Sequence, residues 1–327
     1  MKAYLRAPPR PRGRIDAEDG PAAQRVFQRV GAAGPTAVLG FACDVGVTRN
    51  RGRAGAASGP EAIRNALFSL AAPEGLMPLT DLGDVVVPGD DLEAGQSRLA
   101  AEIARGLAVH ERLLVLGGGH ETAYGSYCGL RTRYPDAAIG ILNLDAHLDL
   151  RNVGEAGPSS GTPFNQIRSM APERFDYACI GVARESNTQA LIDRAAAWSV
   201  ELVYDVALRR DADAASEVIQ RAVERADVVY LTIDIDVLPH FEAPGVSAPA
   251  TRGVPLVTVE RIVDQVMSAC RRTRTELPLV DVVEVAPPYD RDHVTAKAAA
   301  YLALKYLCDA PPPSFGGRST VTPSREM

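Results

Sequence analysis

The chain has 327 residues, 46% of them hydrophobic and 23% charged, with a formal net charge of −6 and a pI near 5.5. That is enough apolar material for one large α/β domain, and the acidic balance argues against a nucleic-acid binder, which carries a basic face. Five scattered cysteines (Cys43, Cys128, Cys179, Cys270, Cys308) without CxxC spacing indicate neither a disulfide framework nor a thiolate zinc site, and they fit a reducing cytoplasm.

Residues 1–20 are rich in Pro and Arg and lack both the continuous apolar run of a secretory signal and the length of a membrane span, so they read as a flexible segment. Residues 310–327, with three consecutive prolines followed by Ser, Gly and Thr, read as a flexible C-terminal tail. A single domain is expected over 21–309. Within it, short apolar runs at 37–42, 79–82, 113–116, 139–144, 177–180, 201–203, 228–233 and 279–285 read as strands. Most lack polar alternation, as parallel strands covered on both faces do. Helical segments separate them. Ser58 is placed to cap a helix starting at Pro60; Leu99, Ile103 and Leu107 recur every four residues, as do Ile262, Val266 and Cys270, and an alanine-rich run at 296–307 closes the fold. Alternating strands and helices predict a parallel sheet flanked by helices, with a closed barrel as the alternative.

Three of these strands end in chemistry. The strand at 113–116 runs into Gly117-Gly118-Gly119-His120-Glu121. The strand at 139–144 runs into Asp145-Ala146-His147-Leu148-Asp149, whose alternation sends Asp145, His147 and Asp149 to one side of an extended segment. The strand at 228–233 ends in Asp234-Ile235-Asp236. Carboxylates and imidazoles gathered at strand ends either reach solvent or, if buried, need a cation or hydrogen-bond partners to compensate them, a metal being the natural choice. In open α/β sheets the ligand crevice lies outside the C-terminal strand ends, which gives His120, Asp145, His147, Asp149, Asp234 and Asp236 a common place to meet. Four carboxylates balance two divalent cations. An oxygen-dominated set without thiolate favours manganese over zinc or copper, and shared carboxylates would bridge ions roughly 3.5 Å apart.

Taken in order, GGGHE at 117–121, DAHLD at 145–149, DID at 234–236 and Glu284 within VVEVAPPYD resemble the ureohydrolase family of arginases and agmatinases. Within it, FACD at 41–44, GVTRN at 46–50, Gly52-Arg53, SSGTPF at 159–164 and APGVSAP at 243–249 most resemble the formimidoylglutamases of histidine degradation. The resemblance covers about 27–307. It implies a three-layer α/β/α fold with an eight-stranded parallel sheet, two Mn2+ per subunit, a cytoplasmic homo-oligomer with no nucleic-acid or membrane partner, and hydrolysis of N-formimidoyl-L-glutamate to L-glutamate and formamide.

Carried over by residue, the resemblance implies that His120, Asp145, Asp149 and Asp234 hold one metal and Asp145, His147, Asp234 and Asp236 the other, with Asp145 and Asp234 bridging. It makes Asp149 the proton relay to the departing amine and Glu284 the group that faces the amidinium. Ser160 stands where arginases and agmatinases carry a histidine, and the formimidoylglutamases share this serine. Arg151 stands where arginase has an asparagine; a guanidinium there favours a carboxylate-rich substrate and opposes a cation such as agmatine. Two alternatives are another ureohydrolase acting on a guanidino acid, and a non-catalytic metal-binding member of the family.

Other conspicuous residues have plainer readings. His240 reads as a loop histidine, His110 and His293 as helix-end residues, and Trp198 as a residue packing a helix. The run Gly117 to Gly119 lacks a P-loop lysine and reads as a place of close backbone approach to a metal. Arg49 and Arg53 fit either a substrate contact or a surface salt bridge.

Overall fold

The computed structural model describes residues 3–31 and 33–309; the expected C-terminal tail, 310–327, lies outside them. Nine strands form one sheet: β1 (Tyr4–Arg6), β2 (Thr36–Ala42), β3 (Leu79–Val86), β4 (Arg112–Leu116), β5 (Ile139–Leu144), β6 (Asp176–Val182), β7 (Glu201–Tyr204), β8 (Val228–Asp234) and β9 (Glu276–Val283). Their order is β1-β3-β2-β4-β9-β8-β5-β6-β7, open at both edges, and every pairing from β3 to β7 is parallel. The eight expected strands are therefore present. The ninth is a correction: Tyr4–Arg6, inside the segment expected to be flexible, pairs antiparallel with β3 at the edge. Arg6 anchors it with a 2.7 Å ion pair to Asp84, and further along Arg25 holds the buried Asp16 at 2.8 Å. Prolines interrupt any apolar pattern in this stretch, so its strand rests on backbone pairing and ion pairs that periodicity does not reveal.

Strand periodicity explains the layers. Leu114 and Leu116 join one apolar cluster while Leu113 and Val115 join another, and Val38 likewise separates from Ala37 and Leu39. Alternate side chains point to opposite faces, and both faces are buried, which requires helices above and below. On one face lie Gly59–Ser69, Leu256–Thr273 and Val294–Cys308; on the other lie Leu92–Val109 and Thr122–Arg133. The last two pack closely because Gly125 and Gly129 share one helix face: a Cβ on Gly129 would sit 2.7 Å from that of Ile103, and one on Gly125 would sit 2.9 Å from Leu99. Ser58 precedes Gly59–Ser69 as expected, but its side chain makes no cap hydrogen bond.

The strand order also decides where the chemistry gathers. β4, β9, β8 and β5 are consecutive neighbours, so the segments leaving their C-terminal ends meet along one rim of the sheet. Among the described residues, no helix is long and apolar enough to cross a membrane.

Candidate metal centre

Each of those four strand ends supplies ligands or their support. β4 leads to His120, β5 to Asp145, His147 and Asp149, β8 to Asp234 and Asp236, and β9 to Glu284. His120 Nδ1 lies 3.1 Å from Oδ2 of each of Asp145, Asp149 and Asp234. His147 Nδ1 lies 3.1 Å from Asp236 Oδ2 and 3.4 Å from Asp145 Oδ1. The potential ligand atoms fall into two overlapping groups, His120-Asp145-Asp149-Asp234 and Asp145-His147-Asp236, each within 4.8 Å. All six sequence-selected ligands are thus brought together, and Asp145 belongs to both groups. Asp234, expected to bridge as well, falls in the first group in this geometry.

Local backbone explains the aim of these side chains. Asp145 Oδ1 accepts from the His147 N–H at 2.6 Å, and Asp234 Oδ1 accepts from the Asp236 N–H at 2.9 Å. The same turn, used twice, commits one oxygen to the backbone and presents the other to the cluster. Asn143 steadies Asp145 with an N–H to Oδ2 at 3.0 Å. Glu284 Oε1 accepts from the His120 N–H at 2.8 Å, tying β9 to β4. Asp149 and Glu284 both hold left-handed backbone, with φ of 46° and 69°. For non-glycine residues such conformations cost about 1–3 kcal/mol and persist where surrounding contacts over-determine them.

Burial and crowding set the electrostatics. Burial and then the charges of Asp236 and Asp145 push Asp234 well above the usual carboxylate range. Burial raises Asp236 to about 6 against the opposing pull of His147. Glu284 is raised by burial and Asp234, and Asp149 by burial and Asp145. Asp145 goes the other way: although burial opposes it, the close approach of His120 and His147 holds it below the ordinary value. The carboxylates in turn raise both histidines against the effect of burial. Five acids gathered in this way are unfavourable unless positive charge joins them. The buried His120 Nδ1 and Asp236 Oδ1 have no hydrogen-bond partner, so atoms suited to coordination are left uncommitted. Two divalent cations fit both the geometry and the charge.

The cluster floors a cavity of about 380 Å3 whose walls include Asn50, Arg51, Arg151, Ser160 and Glu284. Ser160 is buried, and its Oγ accepts from Asn50 Nδ2 at 3.1 Å. Arg151 has neither an ion pair nor a side-chain hydrogen bond among the described residues, and the nearby acid Glu155 does not pair with it. The sequence reading passed over Arg51. It reaches the same cavity, is likewise unpaired, and holds φ of 63°, so that three left-handed non-glycine residues line one site. A signal was present in the basic run Arg49-Asn50-Arg51-Gly52-Arg53, but it did not say which arginine was free. Arg49 is bound to Asp90 and Glu93, while Arg53 donates to the Ser247 and Val246 carbonyls and stacks on Tyr289. Arg53 still borders the cavity.

His110 and His293 cap helices as expected, and Trp198 packs edge-on to Phe175. His240 is exposed and is not among the cavity-lining residues. The glycine run needs one adjustment. Gly118 lies so close to the Cys43 carbonyl that a Cβ would collide with it, and its own carbonyl accepts from the Glu284 N–H at 2.7 Å. The close approach is between backbones of neighbouring strand ends.

The model of the arginase family matches residues 35–308. The chain belongs to the arginase family. Among arginase-family relatives, the formimidoylglutamase of Citrobacter koseri is 46% identical over 303 residues, covering 89% of this chain and 93% of that protein. That of Klebsiella pneumoniae is 46% identical over 304 residues with the same coverage. Trypanosoma cruzi formiminoglutamase, crystallised with two Mn2+ ions, shares the fold with a TM-score of 0.75 and 24% identity, over 88% of this chain and 98% of that one.

Proposed function

We propose that this arginase-family chain is a formimidoylglutamase, a manganese-dependent hydrolase that cleaves N-formimidoyl-L-glutamate to L-glutamate and formamide. The observation that carries the reading is the pairing, within one cavity, of a six-ligand acid-imidazole floor with two unpaired guanidinium groups, Arg51 and Arg151, in its wall. A substrate with an amidine at one end and two carboxylates at the other matches both ends of that cavity. Relatives named for this activity at 46% identity support it.

His120, Asp145, Asp149 and Asp234 would hold one Mn2+, and Asp145, His147 and Asp236, with Asp234 at the bridge, the other. When bound, the pair supplies an acidified water and Lewis-acid polarisation of the amidine. Glu284, anchored through Oε1 to the His120 backbone, faces the amidinium and steadies its charge. Asp149, which stands beside His120 and lines the cavity, carries the proton that the departing glutamate amine needs in order to leave. Arg151 grips a substrate carboxylate, and Ser160, fixed by Asn50, shapes the wall beside it. The catalytic domain is assigned to 21–309, with the edge strand Tyr4–Arg6 added to its sheet. A reducing cytoplasm suits its five free cysteines, and a homo-oligomer follows the family resemblance.

The decisive assay offers Mn2+-loaded enzyme formimidoylglutamate, arginine, agmatine and guanidinobutyrate in parallel. Formimidoylglutamate should show the highest kcat/KM. Faster turnover of a guanidino acid would overturn the substrate assignment, and no turnover of any of the four would remove the enzymatic reading.

A further inference from the structure

Beneath the metal centre lies a buried acid that the reaction above does not use. Asp281 sits mid-strand on β9 and is fully buried. Its Oδ2 accepts from the Tyr230 hydroxyl at 2.5 Å and the Ser126 hydroxyl at 2.8 Å, and its Oδ1 has no hydrogen-bond partner. Opposite it on β8, in register, is Thr232, also fully buried, whose side chain stands on the neighbouring strand beside the same carboxylate. The Thr232 Oγ1 lies 3.1 Å from Nε2 of His120. A line of three side chains thus runs from Asp281 through Thr232 to the ring whose other nitrogen faces Asp145, Asp149 and Asp234. A carboxylate in the middle of a sheet is costly to bury, and packing alone gives no reason for one here.

We propose that Asp281, acting through Thr232, is a positioning residue that holds His120 in the tautomer and orientation a metal ligand needs. The inference rests on the reading of His120 as a ligand through Nδ1. Its logic is that of a single proton. The Thr232 hydroxyl has one hydrogen to give; the unpartnered Asp281 oxygen, an acceptor, draws it, and the Thr232 oxygen is then left to accept from His120 Nε2–H. With Nε2 carrying the proton, Nδ1 keeps its lone pair for the cation. Without the Asp281 acceptor, the hydroxyl is free to turn and donate to Nε2, which moves the ring proton to Nδ1 and blocks coordination. Thr232 also stands two residues before Asp234, so one strand delivers both a ligand and the support of another.

The test is Mn2+ binding by the full chain, followed through the electron paramagnetic resonance of free Mn2+, in two backgrounds. His147→Asn leaves the His120 site as the one to be read; His120→Asn leaves the other. In the His147→Asn background, Thr232→Val and Asp281→Asn should each weaken Mn2+ binding about 10- to 100-fold, the range for loss of an outer-sphere partner. Thr232→Ser, which keeps the hydroxyl, should restore binding to near the parent level. In the His120→Asn background, Thr232→Val should leave binding almost unchanged. Should Asp281→Asn fail to fold, the Thr232→Val and Thr232→Ser pair decides. Unchanged Mn2+ affinity in Thr232→Val, or equal weakening in both backgrounds, overturns the inference while leaving the metal assignment standing. If His120→Asn itself costs the protein no Mn2+, the ligand assignment falls, and this inference with it.

Discussion

Truncating Arg151 isolates the substrate reading from the metal chemistry. The side chain lines the cavity above the ligand cluster, its stem passes over Gly161, and its guanidinium has no protein partner among the described residues. Arg151→Ala therefore strands no buried charge and breaks no ion pair, so folding stability should stay within about 0.5 kcal/mol of the parent. What it removes is a charge-assisted hydrogen bond to a substrate carboxylate, worth about 1.5–3 kcal/mol. Exposure at the rim lowers that figure and bidentate geometry raises it. A loss of about 2–3 kcal/mol is expected, or about 30- to 150-fold in kcat/KM. Because the carboxylate is held alike in the ground and transition states, most of the loss should appear in KM. Steady-state kinetics with formimidoylglutamate, alongside metal analysis and thermal melting, reads all three quantities. A kcat/KM within about threefold of the parent, with both metals retained, would refute carboxylate recognition by this residue and with it the main physical ground for the substrate. Arg51→Ala should behave similarly, and the double variant should approach the sum of the two losses if each arginine holds its own carboxylate.

Asp145→Ala, which removes a carboxylate common to both ligand groups, should abolish binding of both Mn2+ ions; elemental analysis that finds one full equivalent retained would rule out its bridging role. The metal-free protein should lose stability as pH rises. Asp149, Asp234, Asp236 (about 6) and Glu284 lie above their unfolded values near 4, so the folded state binds extra protons from there upward and gives up that stability as each ionises. His120 and His147, raised above about 6.5, extend the loss to higher pH, while the depressed Asp145 contributes stability that is already complete above about 4. The Mn2+-induced rise in Tm should accordingly be larger at pH 8 than at pH 6, and an equal rise at both would contradict this proton-metal competition. Away from the site, Arg64 is buried between Asp81 at 2.9 Å and Asp84 at 2.8 Å. Arg64→Met should cost about 3–5 kcal/mol in urea unfolding by leaving the buried Asp81 without a cation and Asp84 with Arg6 alone, whereas a change below about 1 kcal/mol would mean that water or Arg6 compensates.

The sequence by itself determined the strands and the candidate ligands, because both are local. A run such as Leu142-Asn143-Leu144 ahead of Asp145, His147 and Asp149 carries in its residue types the buried strand, the turn at its end and the alternation that aims three groups one way. The Gly-rich exit of β4 and the Asp234-Asp236 pair are legible for the same reason. Tertiary structure alone decided what depends on partners distant in the chain. β9 inserts between β4 and β8, which brings Glu284 to the backbone of His120 and Asp281 beneath Thr232. The edge strand Tyr4–Arg6 exists because β3 offers it unpaired backbone and Asp84 offers Arg6 a charge, neither of which leaves a periodic trace in residues 1–20. Of the three arginines at 49, 51 and 53, residue type gives each the same guanidinium. Only the folded surroundings, which engage Arg49 and Arg53 and leave Arg51 beside Arg151 open to the cavity, separate structural arginines from those free to meet a substrate.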